Sequence, residues 1–196
     1  VVIRDFQNRF ALSLVYPTMK KRLFFAVPLS EKYLEIFVSY RDNFAQKGIR
    51  WTNEENLHLT VCFFGDIEEG SVSDLVSDLK RSLSQIKPFA LKFDKIMLAP
   101  PARPPRMIWG MFFGKKKYQD LTGLVFRAAE KYLEEKQELK WMPHVTLARF
   151  KDFFDPSGLK LIQVELPDFL ISSCRLVSSD LTPAGPIYKT VEIFNL

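Results

Sequence analysis

The sequence predicts an α+β fold built from two related lobes, with antiparallel strands and a few helices. Two observations predict the class. Short apolar runs that read as strands alternate with apolar stripes at helical spacing. No long linker, low-complexity segment or clear domain boundary interrupts them. A third observation predicts the duplication. The order strand, helix, tryptophan-marked turn, histidine strand occurs twice, with 85 residues from Leu23 to Ile108, 90 from Trp51 to Trp141 and 86 from His58 to His144.

Residues 1–18 have no initiating methionine and an apolar stretch too short and interrupted for a signal peptide. They are read as an N-terminal extension, and Met19 as the natural start of a single domain over residues 19–196. Leu23 to Val27 is a buried strand ending at Pro28. Ser30 is placed to cap a helix, whose face is Tyr33, Phe37, Tyr40 and Phe44, with Gly48 as its stop. Trp51-Thr52 and a polar turn lead to "NLHLTVCFFG". Ser71 with Asp74 forms a capping box for a helix carrying Val72, Leu75, Val76, Leu79, Leu83 and Ile86. Phe89, Leu91, Phe93 and Ile96 make the next strand, and the Pro-rich segment 99–105 an exposed loop.

The second pass begins at Ile108 to Phe113. Leu121, Leu124, Val125, Ala128 and Tyr132 then stripe a helix, and a charged stretch leads to "WMPHVTLARF". After a loop around Asp155 to Gly158, two strand-like runs, Phe169 to Leu181 and Ile187 to Phe194, are joined as a hairpin through residues 183–186.

With 196 residues, 47% apolar and 26% charged, the chain can build one sizeable globular core. Nothing approaches the roughly 18 consecutive apolar residues of a membrane span. A net charge of +5 suits a polyanionic partner without requiring one. Lys20-Lys21-Arg22 and Lys115-Lys116-Lys117 are short basic runs of a kind that is usually solvated surface. Cys62 and Cys174 sit in apolar runs and read as buried free thiols in a reducing compartment.

The chain has two histidines, and each is followed two residues later by threonine, with apolar residues between and after. In a strand, residues two apart share a face. His58 and Thr60 therefore oppose Leu59 and Val61, and His144 and Thr146 oppose Val145 and Leu147. If a pseudo-twofold relates the lobes, two imidazoles and two hydroxyls converge on one cleft. In-line displacement at phosphorus needs such a set: a base beside the nucleophile and an acid beside the leaving oxygen. Threonine hydroxyls can donate to the non-bridging oxygens. Two histidines and two cysteines without ligand spacing make no credible metal cage.

These paired motifs, with "RLFFAV", "RMIWG", "MPHVTLAR" and "YKTVEIF", resemble the 2H phosphoesterase superfamily, and within it the bacterial and archaeal RNA 2′,3′-cyclic phosphodiesterases, also called 2′-5′ RNA ligases. The resemblance runs from about Lys21 to the C-terminus. It implies two α+β lobes, with helices outside and both motifs on the floor of the cleft between. It implies opening of 2′,3′-cyclic phosphate ends to 2′-phosphates and reversible 2′-5′ ligation, with RNA ends or small cyclic nucleotides as partners and neither cofactor nor metal. It makes His58, His144, Thr60 and Thr146 catalytic and gives Arg149 a phosphate contact. By family precedent the protein is expected to be a monomer, and its free thiols point to a cytoplasmic setting.

Arg149 lies five residues after His144, an odd offset that turns it away from the cleft unless the strand bulges or ends near Ala148. Tyr188, in the C-terminal hairpin, is a candidate for substrate binding, with core packing or a surface position as alternatives. Arg106, with Arg103, is a candidate to guide RNA. Trp51 and Trp141 are expected to pack between strand and helix. Of Phe63 and Phe64, one faces the core and the other is a candidate to line the cleft. His58 is assigned as acid and His144 as base, with the reverse open by symmetry. The alternative functions are a 2H esterase for another substrate, such as 2′-5′ oligoadenylate, and a non-catalytic module that binds RNA ends.

Overall fold

The structure, a computed structural model, describes residues 19–44, 48–101, 104–134, 142–152, 154–183 and 185–196. The N-terminal extension, Arg103 and Trp141 lie outside the described residues. The elements are β1 (Lys20–Pro28), α1 (Glu31–Asp42), β2 (Ile49–Trp51), β3 (His58–Glu68), α2 (Val72–Leu83), β4 (Phe89–Ala99), β5 (Met107–Phe113), α3 (Lys115–Ala129), β6 (His144–Phe150), β7 (Phe169–Ile171), β8 (Ser173–Thr182) and β9 (Gly185–Asn195).

The strands form an antiparallel sheet in the order β7-β4-β5-β6-β3-β1-β8-β9, with β2 added on β6. The order is symmetric about the β6–β3 join. Moving outward, β5 matches β1, β4 matches β8 and β7 matches β9. The halves also exchange strands: β4 follows the first histidine strand in sequence but pairs with β5, and β8 returns to pair with β1. Ser172 alone separates β7, at one end of this order, from β8, near the other. Neighbouring strands lie roughly 4.8 Å apart, so one residue cannot span a flat sheet of this width. The sheet therefore curls until its ends approach.

Helices α1, α2 and α3 lie against one face, where the main core forms. Tyr33 and Phe37 of α1, Leu75, Leu79 and Leu83 of α2, and Leu121 and Val125 of α3 are buried with Leu59, Val61, Val145 and Leu147. Tyr33 meets Phe112 and Phe169 at centroid distances of 5.8 and 5.0 Å, which ties α1 to the second lobe. The other face carries, among the described residues, a small apolar cluster of Phe24, Ala26 and Val177 with Tyr188 packed on it. Among the described residues no helix is long and apolar enough to cross a membrane. Cys62 and Cys174 are free and buried.

Several boundaries differ from expectation. Ser30 and Ser71 precede their helices, yet neither side chain caps. Ser71 ends a 3-10 turn in helical conformation, which turns its hydroxyl away from the role of a capping box. The first helix stops at Asp42 with Asn43 as cap, leaving Phe44 beyond it. Gly48 instead opens β2 at φ 94°, where a Cβ would lie 2.6 Å from Phe154 Cδ2. In β4 the step of three from Phe93 to Ile96 is accommodated by a bulge between Phe93 and Lys95. The run from Phe169 to Leu181 divides at Ser172 because its two parts pair with different lobes.

β3 and β6 meet at one residue pair, Leu59↔Val145, and both side chains are fully buried. Leu59→Ala is expected to cost about 2–5 kcal/mol through lost burial and a residual cavity. The shift in chemical-denaturation midpoint, at unchanged m-value, measures it.

Candidate active site

The burial alternation in both histidine strands matches the pattern of their residues. His58, Thr60, His144 and Thr146 are half-buried, while Leu59, Val61, Val145 and Leu147 point into the core. The Leu59↔Val145 pair then sets the relation between the motifs. One step outward in this antiparallel register puts His58 across from Thr146 and Thr60 across from His144. Residues opposed across strands share a face, so all four side chains stand on the face away from the helices. The imidazoles are diagonal neighbours, which in a regular ladder lie roughly 7–8 Å apart.

Each ring is oriented in the same way. His58 Nδ1 lies 2.8 Å from the carbonyl oxygen of Asn56, and His144 Nδ1 lies 2.8 Å from that of Met142. A carbonyl only accepts, so both Nδ1 atoms carry hydrogen and donate. This fixes the tautomer and makes Nε2 the nitrogen that exchanges a proton. Asn56 also donates through its side-chain amide to the Pro186 carbonyl at 3.4 Å, linking the first histidine to the β8–β9 hairpin.

The ring environments differ. His144 stacks on Trp109, with centroids 3.8 Å apart and planes at 24°. His58 packs against Phe24 at 4.9 Å and meets Tyr188 edge-on at 5.5 Å. Burial lowers its pKa below the ordinary 6.5, opposed by the hydrogen bond to the Asn56 carbonyl.

Both strands bulge just after the threonine. β5 pairs Trp109 with Thr146 but Ile108 with Ala148, leaving Leu147 as the extra residue. β1 pairs Ala26 with Thr60 but Phe25 with Cys62, leaving Val61 extra. A one-residue bulge reverses the alternation beyond it. Ala148 is consequently buried and Arg149 exposed, on the side of His144 and Thr146. The equivalent residue of the first strand is Phe63, five after His58. It is exposed and lies 5.9 Å from the Phe24 ring, while Phe64 is in the core. Two matching positions thus carry a guanidinium in one lobe and an aromatic ring in the other.

Arg149 directs its Nη1 to Met107 Sδ at 3.1 Å, and its charge reaches Tyr188 from the opposite lobe. Burial raises the Tyr188 pKa, and the charges of Arg149 and Arg22 oppose that shift. Tyr188 therefore stands at the site, partly buried against Phe24 and His58. Arg106 is exposed just before β5; its backbone N–H donates to the Ala99 carbonyl and its carbonyl accepts from Phe150. The alternation from Met107, which faces Arg149, turns the Arg106 side chain the other way. Trp51 packs edge-on against Tyr40 and Phe44 in the core. Among the described residues no group of three or more His, Cys, Asp or Glu side chains could hold a metal ion.

Sequence reasoning passed over Trp109 and Arg22. Trp109 lies in the "RMIWG" string, but only the β5–β6 register puts it beneath His144. Arg22 sat within a basic run, and its signal was the alternation with Phe24 along β1.

Known proteins resemble this chain in sequence and in fold. The family model described as "LigT like Phosphoesterase" matches residues 26–109. An RNA 2′,3′-cyclic phosphodiesterase of Aquifex aeolicus is 31% identical over 75% of this chain and 81% of its own length. One from Methanothermobacter thermautotrophicus is 30% identical over 91% of this chain and all, 100%, of its own. Among solved structures, TT0787 of Thermus thermophilus superposes with a TM-score of 0.78 at 25% identity, covering 89% of this chain and 97% of that one. E. coli LigT, solved with 3′-AMP, shares the fold at a TM-score of 0.73 and 21% identity, covering 91% and 99%. With its paired histidine strands, its curled sheet and relatives matched over 81% and 100% of their own length, the chain belongs to the LigT-like phosphoesterases, the family of the RNA 2′,3′-cyclic phosphodiesterases.

Proposed function

We propose that this protein hydrolyses 2′,3′-cyclic phosphate ends of RNA or small nucleotides to 2′-phosphates, with His58 and His144 as the acid–base pair. The observation that carries this reading is the shared register of the two motifs about Leu59↔Val145, with each Nδ1 held by the carbonyl two residues before it. His144 Nε2 takes a proton from water as the water oxygen bonds to phosphorus. The P–O3′ bond breaks, and His58 Nε2 gives its proton to O3′. Proton exchange with solvent then restores both rings. Thr60, Thr146 and Arg149 hold the non-bridging oxygens, and Arg22 adds positive charge on the approach.

Phe24, Phe63 and Tyr188 form an aromatic wall beside His58. That wall directs the nucleoside, and with it the departing O3′, towards His58, which supports His58 as the acid. With an RNA 5′-hydroxyl in place of water the same displacement gives a 2′-5′ phosphodiester and a 3′-hydroxyl, the 5′-hydroxyl proton passing to His144 and the His58 proton to O3′. The acting unit is residues 19–196 as one bilobal domain, because each half lends strands to the other lobe. One chain supplies both imidazoles, so a monomer suffices. A reducing, cytoplasmic setting fits its two buried thiols, which burial pushes up to about 12.

The test is turnover in EDTA of a 2′,3′-cyclic mononucleotide, an RNA with a cyclic phosphate end and 2′-5′ oligoadenylate. Turnover of the first two is expected, with product phosphate at the 2′ position. His58→Ala and His144→Ala should each lower kcat by about 10²- to 10⁴-fold. Full activity in the double variant would refute the mechanism. Turnover of the oligoadenylate alone would move the protein to a different substrate.

The pH profile assigns the roles. An acid must start protonated, and burial holds the His58 pKa below 6.5 in the free protein. kcat/KM, which reports the free enzyme, should therefore fall as pH rises through a value below 6.5. The bound phosphodiester anion favours the imidazolium, so the same limb of kcat should lie at higher pH. A His58-dependent limb that rises with pH would make His58 the base.

A further inference from the structure

Thr52 makes two contacts with the bulge of β6. Its backbone N–H donates to the Leu147 carbonyl at 2.9 Å, and its hydroxyl donates to the Thr146 carbonyl at 2.9 Å. Leu147 is the residue that β5 skips, and β2 ends one residue before Thr52, at the pair Trp51↔Ala148. Thr52 thus takes up two carbonyls at the point where the neighbouring ladders break off. The first lobe meets the same need differently. There the carbonyl of Thr60, also just before its bulge, accepts a hydrogen bond of 2.6 Å from the Tyr118 hydroxyl. A side-chain hydroxyl holds the motif threonine's carbonyl in both lobes, although one comes from a turn and the other from α3.

We infer that Thr52 is a positioning residue: its hydroxyl locks the β6 bulge and so holds Arg149 on the face of the two histidines. Without the bulge, Arg149 would share the core side with Val145 and Leu147, because it lies an odd number of residues from His144. The hydroxyl does not touch the reacting atoms. It acts through the register of four residues, Thr146 to Arg149. This inference rests on the phosphate contact proposed for Arg149.

Thr52→Val keeps the shape and removes the donor, Thr52→Ser keeps the donor, and Thr52→Ala is a second donor-free variant. Each is assayed with a 2′,3′-cyclic mononucleotide alongside Arg149→Ala and the Thr52→Val/Arg149→Ala double variant, with a thermal melt to establish folding. Thr52→Val and Thr52→Ala are expected to raise KM and weaken inhibition by inorganic phosphate by about tenfold, the scale of one misplaced charge-assisted contact. Thr52→Ser should stay near the starting protein, and the double variant should be no worse than Arg149→Ala alone. If Arg149→Ala is impaired while both donor-free variants are not, or if the two effects multiply, the lock is overturned and the mechanism stands. If Arg149→Ala keeps full activity, Arg149 holds no phosphate, and the mechanism's anion contact falls together with the lock.

Discussion

One backbone register governs the site: the antiparallel pair Leu59↔Val145 that joins the two lobes. Side chains alternate strictly along a strand, so this pair determines which residues of the two motifs confront one another. A slip of one residue would put one lobe's imidazole into the core. The apolar face guards against that slip, because either Leu59 and Val61 or Val145 and Leu147 would have to leave the buried cluster. The forces that fold the lobes together are thus the forces that align the two histidines.

The duplication provides a symmetric frame, and a few substitutions give it direction. Both rings are held through Nδ1 by a carbonyl two residues back, and both strands bulge after the threonine. The shells then diverge. The β5 residue beside Thr146 is Trp109, and its β1 counterpart beside Thr60 is Ala26. The fifth residue after His144 is Arg149, and after His58 it is Phe63. One side of the site is therefore cationic with a stacked imidazole, and the other is aromatic and desolvated. Displacement at phosphorus asks different work of its two imidazoles, one giving a proton and the other taking one, and here they stand in unlike surroundings.

The bulges show how local irregularity serves a site. A regular strand can offer only alternate residues to one face. By inserting one residue, each strand brings a third side chain, at an odd offset, beside its histidine and threonine. The backbone carbonyls released there are held by Thr52 and Tyr118, which keeps the irregularity from leaving buried polar groups unpaired.

The sequence by itself determined the element types, the repeat, and the faces of both histidine strands. These follow from alternation and spacing, which are local properties of the chain. His58 with Thr60, and His144 with Thr146, were legible because their neighbours Leu59, Val61, Val145 and Leu147 declare the buried side. The helix caps were less legible: Ser30 and Ser71 have the right chemistry, but the chain's path into each helix leaves their hydroxyls unused. Tertiary structure alone decided that β4 and β8 exchange lobes, that Trp109 lies under His144, and that Arg149 and Phe63 turn towards the site. Each depends on pairing between segments far apart in sequence, and the energy that selects one register over another belongs to the packed sheet and not to any single strand.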